Sequence, residues 1–137
     1  MSFSSMNIGR TGVGFAHHWL DTIAHNIANA NTVAPGGEEP FRALQLVARP
    51  LGGGPFASTG SGVHVAQQVR DGGDPARTYD PDHPLADEQG TVTQPVVDLG
   101  SQMVDMMIAQ RAYQANLRTV ESAKEAYQAA LRLGGSQ

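Results

Sequence analysis

Apolar residues recur along the first thirty positions at Val13, Ala16, Leu20, Ile23, Ile27 and Ala30, in alternating steps of three and four. That seven-residue repeat puts them on one seam of a helix, the spacing that two helices use to pack along each other. It predicts a helix from about Val13 to Ala30. Asn31 and Thr32 are stop signals behind it, and Pro35 enforces the end, because the residue before a proline is pushed away from helical geometry. Ala24 and Ala28 beside the seam are small and permit close approach of a second helix. Near the other end Leu99, Met103, Met106, Tyr113, Leu117, Val120, Tyr127 and Leu131 keep the same phase. They predict a long helix from about Leu99 to Leu133, closed by Gly134 and Gly135. Gln110 and Lys124 interrupt that seam. Ala109, Ala112, Ala123 and Ala130 widen the stripe to a second face, which suits a helix with neighbours on more than one side.

The middle follows a different pattern. Phe41 to Val47 and Val63 to Val69 are candidate strands, the second alternating as Val63, Val65, Gln67 and Val69. Gly52-Gly53-Gly54 with Pro55, then Gly60 and Gly62, form the connection between them. Asp80 to Pro84 reads as a turn-rich segment with a proline-fixed backbone. All eight prolines lie between Pro35 and Pro95, as do ten of the sixteen glycines. The organisation expected is therefore residues 1–32 and 96–137 as the N- and C-terminal helices of an inner assembly domain, with residues 33–95 as a Pro/Gly-rich β/loop insert. The expected fold class is mainly α, with long terminal helices packed as a coiled-coil-like pair around a small irregular β-containing insert.

Length sharpens this expectation. A helix of about 35 residues spans roughly 50 Å, whereas a compact globule of this chain length has a radius of gyration of about 14 Å. An N-terminal helix of about 18 residues, roughly 27 Å long, covers about half of its longer partner. The apolar surface left over calls for other copies of the same helix pair. The isolated subunit is expected to be partly unfolded at its ends and to order on assembly.

Composition narrows the classes further. The net charge is −4, with eight acids and four arginines in residues 33–95. No basic face invites nucleic acid. Cysteine is absent, which rules out a disulfide scaffold and a thiolate metal site. The first thirty residues show no basic start followed by a long apolar run, so no cleaved secretory signal is expected. No stretch approaches the ~18 apolar residues that would span a bilayer.

Two motifs then carry a resemblance. Leu20-Asp21-Thr22-Ile23-Ala24-His25-Asn26-Ile27-Ala28-Asn29-Ala30-Asn31-Thr32 is similar to the N-terminal signature of the flagellar rod and hook axial proteins. Gln110-Arg111-Ala112-Tyr113-Gln114-Ala115-Asn116 resembles their C-terminal helix motif. The segment from Tyr79-Asp80-Pro81-Asp82-His83-Pro84-Leu85-Ala86-Asp87 through Gly90, Val92, Pro95 and Asp98 resembles proximal-rod members. The resemblance covers nearly the whole chain. The sequence departs from it at Thr91, where tyrosine is usual, at Val96 for asparagine and at Gln102 for glutamate. The resemblance implies a structural subunit of the bacterial flagellar basal-body rod in the periplasm, a drive shaft that transmits torque and encloses the export channel. It implies as partners other copies of the chain, other rod subunits and the flagellar type III export apparatus. It implies no catalysis, no cofactor, no metal, no nucleic acid and no small-molecule substrate.

The residues singled out for assembly are Leu20, Ile23, Asn26, Ile27 and Asn29 on the first helix. On the second they are Met103, Met106, Tyr113, Asn116, Leu117 and Val120. Asn26, Asn29 and Asn116 read either as an interhelical polar ladder setting register or as solvent-facing positions. Met103, Met106 and Met107 read either as an adaptable contact surface or as ordinary core. The alternatives are another rod subunit of the same family and a small helical metal-binding protein using His18, Asp21 and His25. Helical zinc histidine pairs usually sit at i, i+4, whereas His18 and His25 stand seven residues apart, and a catalytic glutamate is missing. Gly9, Gly12 and Gly14 hold a G-x-G fragment with no preceding strand, which reads as a flexible helix start rather than a dinucleotide fingerprint. The only lysine, Lys124, stands in no phosphate-loop context. Asp80, Asp82, Asp87 and Glu88 lack the spacing of an EF-hand and read as a solvated acidic loop.

Overall fold

A computed structural model describes residues 2–35, 37–52 and 60–134. Its elements in chain order are α1 (Ser2–Ala28), β1 (Leu44–Pro50), β2 (Val63–Arg70), β3 (Ala76–Tyr79), β4 (Thr91–Gln94) and α2 (Leu99–Gly134). The chain divides into two compact units, the first of Met1–Leu20, Val47–Gln67 and Met107–Gln137, the second of Asp21–Leu46 and Gln68–Met106. Gly53, Gly54 and Pro55 of the predicted connection, and Gly135, lie outside the described residues.

In the first unit, α1 begins well before Val13. Gly9, Gly12 and Gly14 lie inside the helix rather than forming a loose start. Each costs roughly 1 kcal/mol of helix propensity against alanine. Two of them are contact points that offset this. A Cβ on Gly9 would stand 2.8 Å from Val120 Cγ2, and one on Gly12 would stand 2.5 Å from Asn116 Oδ1. The two helices thus approach where α1 has no side chains. Ala16 and Ala109, both fully buried, supply the apolar centre of this unit. The Thr11 hydroxyl donates to Ile8 O at 2.7 Å and accepts the Val63 N–H at 3.0 Å, which fixes the start of β2 to α1.

In the second unit, Ile23 and Val92 are the largest buried apolar side chains among the described residues, and Ala43, Thr22 and Thr93 are also buried. β3 and β4 pair antiparallel, with Ala76 opposite Gln94 and Tyr79 opposite Thr91. Their connection closes through Asp87, whose Oδ1 accepts the N–H groups of Gln89 at 3.0 Å and Thr91 at 2.7 Å. Gly90 sits at φ 72°, a left-handed geometry that a side chain resists. On the other side of β4, Ala34 donates to Thr93 O at 2.9 Å and accepts from Thr93 N–H at 3.3 Å. α1 ends with Ala30 N–H turning back to Ile27 O and Asn29 Nδ2 donating to His25 O. α2 starts on Asp98, whose Oδ1 accepts the Gly100 N–H at 3.0 Å, an N-cap that satisfies one orphan donor.

β1 pairs with β2. Leu51 N–H donates to Gly62 O at one end and Asp71 N–H to Ala43 O at the other, each at 2.7 Å, so the two strands run antiparallel. Second-unit Gln68 Nε2 also donates to Thr22 Oγ1 at 3.4 Å.

The expected mainly α fold is corrected by this architecture. Helices of 27 and 36 residues share the chain with strands of 7, 8, 4 and 4 residues in two two-stranded sheets. There are two physical reasons. The long helix does not bury its heptad seam, since Leu99, Met103, Leu117 and Leu131 are all exposed. The strands are also not appended to a finished helix pair: helix side chains occupy strand backbone groups, as Thr11 does in the first unit and Asn26 in the second.

Candidate assembly surface

Of the residues singled out from the sequence, Ile23 and Asn26 are buried, at 2 % and 1 % exposure. Leu20, Ile27, Asn29, Met106, Tyr113, Asn116 and Val120 are half-buried. Met103 and Leu117 are exposed, at 60 % and 38 %.

Asn26 is the most heavily engaged of them. Its Nδ2 donates to Leu44 O at 2.9 Å and to Gln102 Oε1 at 3.0 Å, while its Oδ1 accepts the Leu44 N–H at 2.8 Å. One amide therefore joins α1, the first residue of β1 and the first turns of α2, all within the second unit. A buried amide that spends both donors and an acceptor in this way fixes register, because any slip leaves polar groups unpaired. Asn29, in the turn just after α1, donates back to His25 O at 2.9 Å, and Asn116 donates within α2 to Ala112 O at 2.8 Å. Asn116 also presents its amide to Gly12 in the first unit.

Three residues depart from the pattern of the resembling family. Gln102 is the acceptor for Asn26, a role glutamate fills equally well by geometry. Thr91 donates its N–H to Asp87, a backbone contact indifferent to the side chain. Val96 is exposed.

Five of the seven exposed residues in the first ten of α2 are apolar side chains, the other two being Gly100 and Ser101. Leu99, Met103 and Met107 recur at four-residue steps, and Val104 and Ile108 run beside them; all five are exposed. Val104 and Ile108 escaped the sequence reading because they lie off the heptad seam. Gly9 and Gly12 escaped it because a glycine in a helix carries no sign of whether it is a breaker or a point of contact.

His18, Asp21 and His25 occupy exposed positions on α1, and among the described residues no three His, Asp or Glu side chains gather as a group able to hold a metal ion. A groove of about 410 Å³ in the first unit is lined by Ile8, Phe15, Val63, Ala112 and Asn116 among others, none of which titrates. No helix among the described residues is long and apolar enough to cross a membrane.

Comparison with known proteins gives this geometry its context. The family model for the C-terminal region of flagellar basal-body rod FlgEFG proteins matches residues 88–133, which take in β4 and almost all of α2. The flagellar basal-body rod protein FlgC of Borreliella burgdorferi is 35 % identical, with 96 % of each chain covered. FlgC of Escherichia coli O6:H1 is 38 % identical over 84 % of each chain. FlgC of Bacillus subtilis is 28 % identical over 97 % of this chain and 98 % of its own. With that identity held over nearly its whole length, the chain belongs to the FlgC family of flagellar basal-body rod proteins.

Proposed function

We propose that the chain is a structural subunit of the flagellar basal-body rod, polymerising through its terminal helices with other copies and with other rod subunits. The observation that carries this reading, beside family membership, is the bare apolar stripe of α2 from Leu99 to Ile108. Soluble monomers rarely leave such a contiguous patch open, and one this regular marks a protein contact. Covering a half-exposed Leu, Ile or Met contributes about 1 kcal/mol, so five together supply a stabilisation large enough to drive association.

Residues 1–32 and 96–137 form the assembly part, and residues 33–95 reach neighbouring subunits. The assembled shaft crosses the periplasm, transmits motor torque and surrounds the export channel. The flagellar type III apparatus delivers the subunit. The role is mechanical and needs no catalytic group.

The test is sedimentation velocity of the purified chain over a concentration series, with circular dichroism alongside. Polymers that grow with concentration, with helix content rising as they form, support the reading. A monomer of constant helicity at every concentration overturns it.

A further inference from the structure

β3 is an edge strand, and all four of its residues are exposed. The pairing around it shows which of its backbone groups point outward. Arg77 stands opposite Thr93 and Tyr79 opposite Thr91. Thr93 spends its N–H and its carbonyl on Ala34, and Thr91 spends both of its own on Asp87. Neither is left to bond β3. The ladder therefore runs through Thr78 opposite Val92 and through the Asp80 N–H, which donates to Gly90 O at 2.9 Å. Backbone groups alternate sides along an antiparallel strand. The N–H and C=O groups of Arg77 and Tyr79 thus point away from β4, where no further strand pairs among the described residues. Pro75 and Pro81 flank this stretch and have no N–H to offer, so the edge open to pairing is two residues long.

The side chains of the same two residues add a recognition face. Arg77 and Tyr79 share one face of the β3–β4 hairpin with Thr93 and Thr91. A hollow of about 390 Å³ opens there, lined by these four with Asp87 and Gln89 among others. The Tyr79 ring lies against Gly90, where a Cβ would stand 3.0 Å from its Cε2, and is still 74 % exposed. Arg77 meets no carboxylate among the described residues. Asp87 sits at the Tyr79 end, where its Oδ1 accepts the Thr91 N–H at 2.7 Å. A second negative charge is therefore disfavoured beside Tyr79 and favoured beside Arg77. All of these residues belong to the second unit.

We infer that the edge of β3 takes up an extended acidic segment of another protein chain as a third strand. Outward N–H and C=O groups at strand spacing are met in full only by another strand, and main-chain bonds of this kind are how sheet edges bind peptides. The side chains then choose among strands. Running antiparallel to β3, the segment sets an apolar residue against the Tyr79 ring and, two residues later, an aspartate or glutamate beside Arg77. The ion pair is exposed and weak by itself, so it selects the partner while the backbone bonds hold it. This contact goes beyond the assembly reading above and does not rest on it.

Peptide titration of the full-length chain, below the concentration at which sedimentation shows polymers, tests this. The probes are acetyl-Thr-Val-Thr-Glu-Thr-amide and the same peptide with lysine for glutamate, and backbone amides are followed by NMR. A ladder this short is expected to bind with a dissociation constant on the order of 1 mM. The Arg77 and Tyr79 amides should shift and gain protection from exchange, whereas the Thr78 amide, turned toward Val92, should be protected throughout. The lysine peptide should bind about tenfold more weakly. Arg77→Glu should reverse that preference. Tyr79→Pro removes an outward N–H and none that β4 uses, so it should abolish binding of both peptides. Protection at Thr78 shows that the hairpin survives in each variant; where it is lost, Arg77→Gln replaces that variant and should bind both peptides alike. Four results overturn the inference: no response at Arg77 and Tyr79, equal binding of the two peptides by the parent, a folded Tyr79→Pro chain that binds like the parent, or protection of the two amides that rises with protein concentration alone. The last would mean that a second copy occupies the edge. None of the four touches polymerisation through the helices, which sedimentation decides separately.

Discussion

Asn26 and Gln102 are joined side chain to side chain at 3.0 Å, although 75 residues lie between them in the sequence. The same Asn26 amide holds both backbone groups of Leu44. Asn26→Ala should therefore leave three polar partners unpaired at a site only 1 % exposed. A loss of about 2–4 kcal/mol is expected, since each unmet buried group costs roughly 1–3 kcal/mol and Gln102 has some access to water. Urea denaturation reads it as a lowered midpoint at unchanged slope. Asn26→Asp should be worse at neutral pH, because it keeps one acceptor, loses both donors and buries a charge. A midpoint within error of the parent for either variant removes Asn26 from the centre of the second unit.

Gly12 and Gly14 lie two residues apart on α1 and should respond to alanine with opposite signs. At Gly14 the added Cβ meets nothing within 4 Å, so Gly14→Ala should stabilise by about 0.5–1 kcal/mol through helix propensity alone. At Gly12 it would stand 2.5 Å from an Asn116 amide already tied to Ala112 O. Gly12→Ala should cost about 1–3 kcal/mol, as overpacking does elsewhere. Thermal unfolding of the pair gives the comparison, and a raised midpoint for both would mean that the helices do not approach closely at Gly12.

Gly62 occupies φ 115°, and a Cβ there would collide with Thr11 Oγ1, the acceptor of the Val63 N–H. Gly62→Ala is expected to destabilise by about 2 kcal/mol, from backbone strain together with the displaced hydroxyl. Thr11→Val keeps the shape and removes only the acceptor, so it should cost about 1 kcal/mol. Amide hydrogen exchange at Val63 should quicken in both variants. Protection that matches the parent in Thr11→Val would show that α1 does not anchor the start of β2.

Two aspartate substitutions separate folding from assembly. Ile23 is 2 % exposed, so Ile23→Asp puts an unpaired charge in the second unit's core and should unfold it, at about 3–5 kcal/mol. Leu117 is 38 % exposed, so Leu117→Asp should change stability by less than about 1 kcal/mol yet block motility in a strain whose swimming depends on this chain. Denaturation midpoints and soft-agar swimming measure the two effects. Normal swimming by a stably folded Leu117→Asp strain would take Leu117 out of the assembly surface.

How much of this was written in the pattern of residues depends on how local each interaction is. The long helix was legible almost to its ends, Leu99 to Leu133 read against Leu99–Gly134 found, because its period is sustained and Asp98 and the following glycines bracket it. β2 was legible from its alternating valines, while β1 starts three residues later than read, where Asn26 takes hold of Leu44. β3 and β4 were not legible. Ala-Arg-Thr-Tyr and Thr-Val-Thr-Gln are too short to show a period, and they become strands only by pairing with each other and with Ala34. The first eleven residues of α1 were lost to glycines at 9, 12 and 14, of which the first two take their meaning from Val120 and Asn116, more than a hundred residues away. Of the assembly residues, the pattern identified apolar positions on the helices. Which of them turn inward was decided by the sheets, and a heptad count contains no information about those.

The bare stripe from Leu99 to Ile108 makes this chain hazardous before it reaches its destination. A molecule that carries its glue uncovered is sticky in the compartment where it is made as well as at the site where it is used. With the export proposed above, production and delivery must therefore be matched in rate. Synthesis that outruns delivery should fill the cell with clumped, insoluble chain, and the supply of rod parts is then governed by how fast they leave rather than by how many are made.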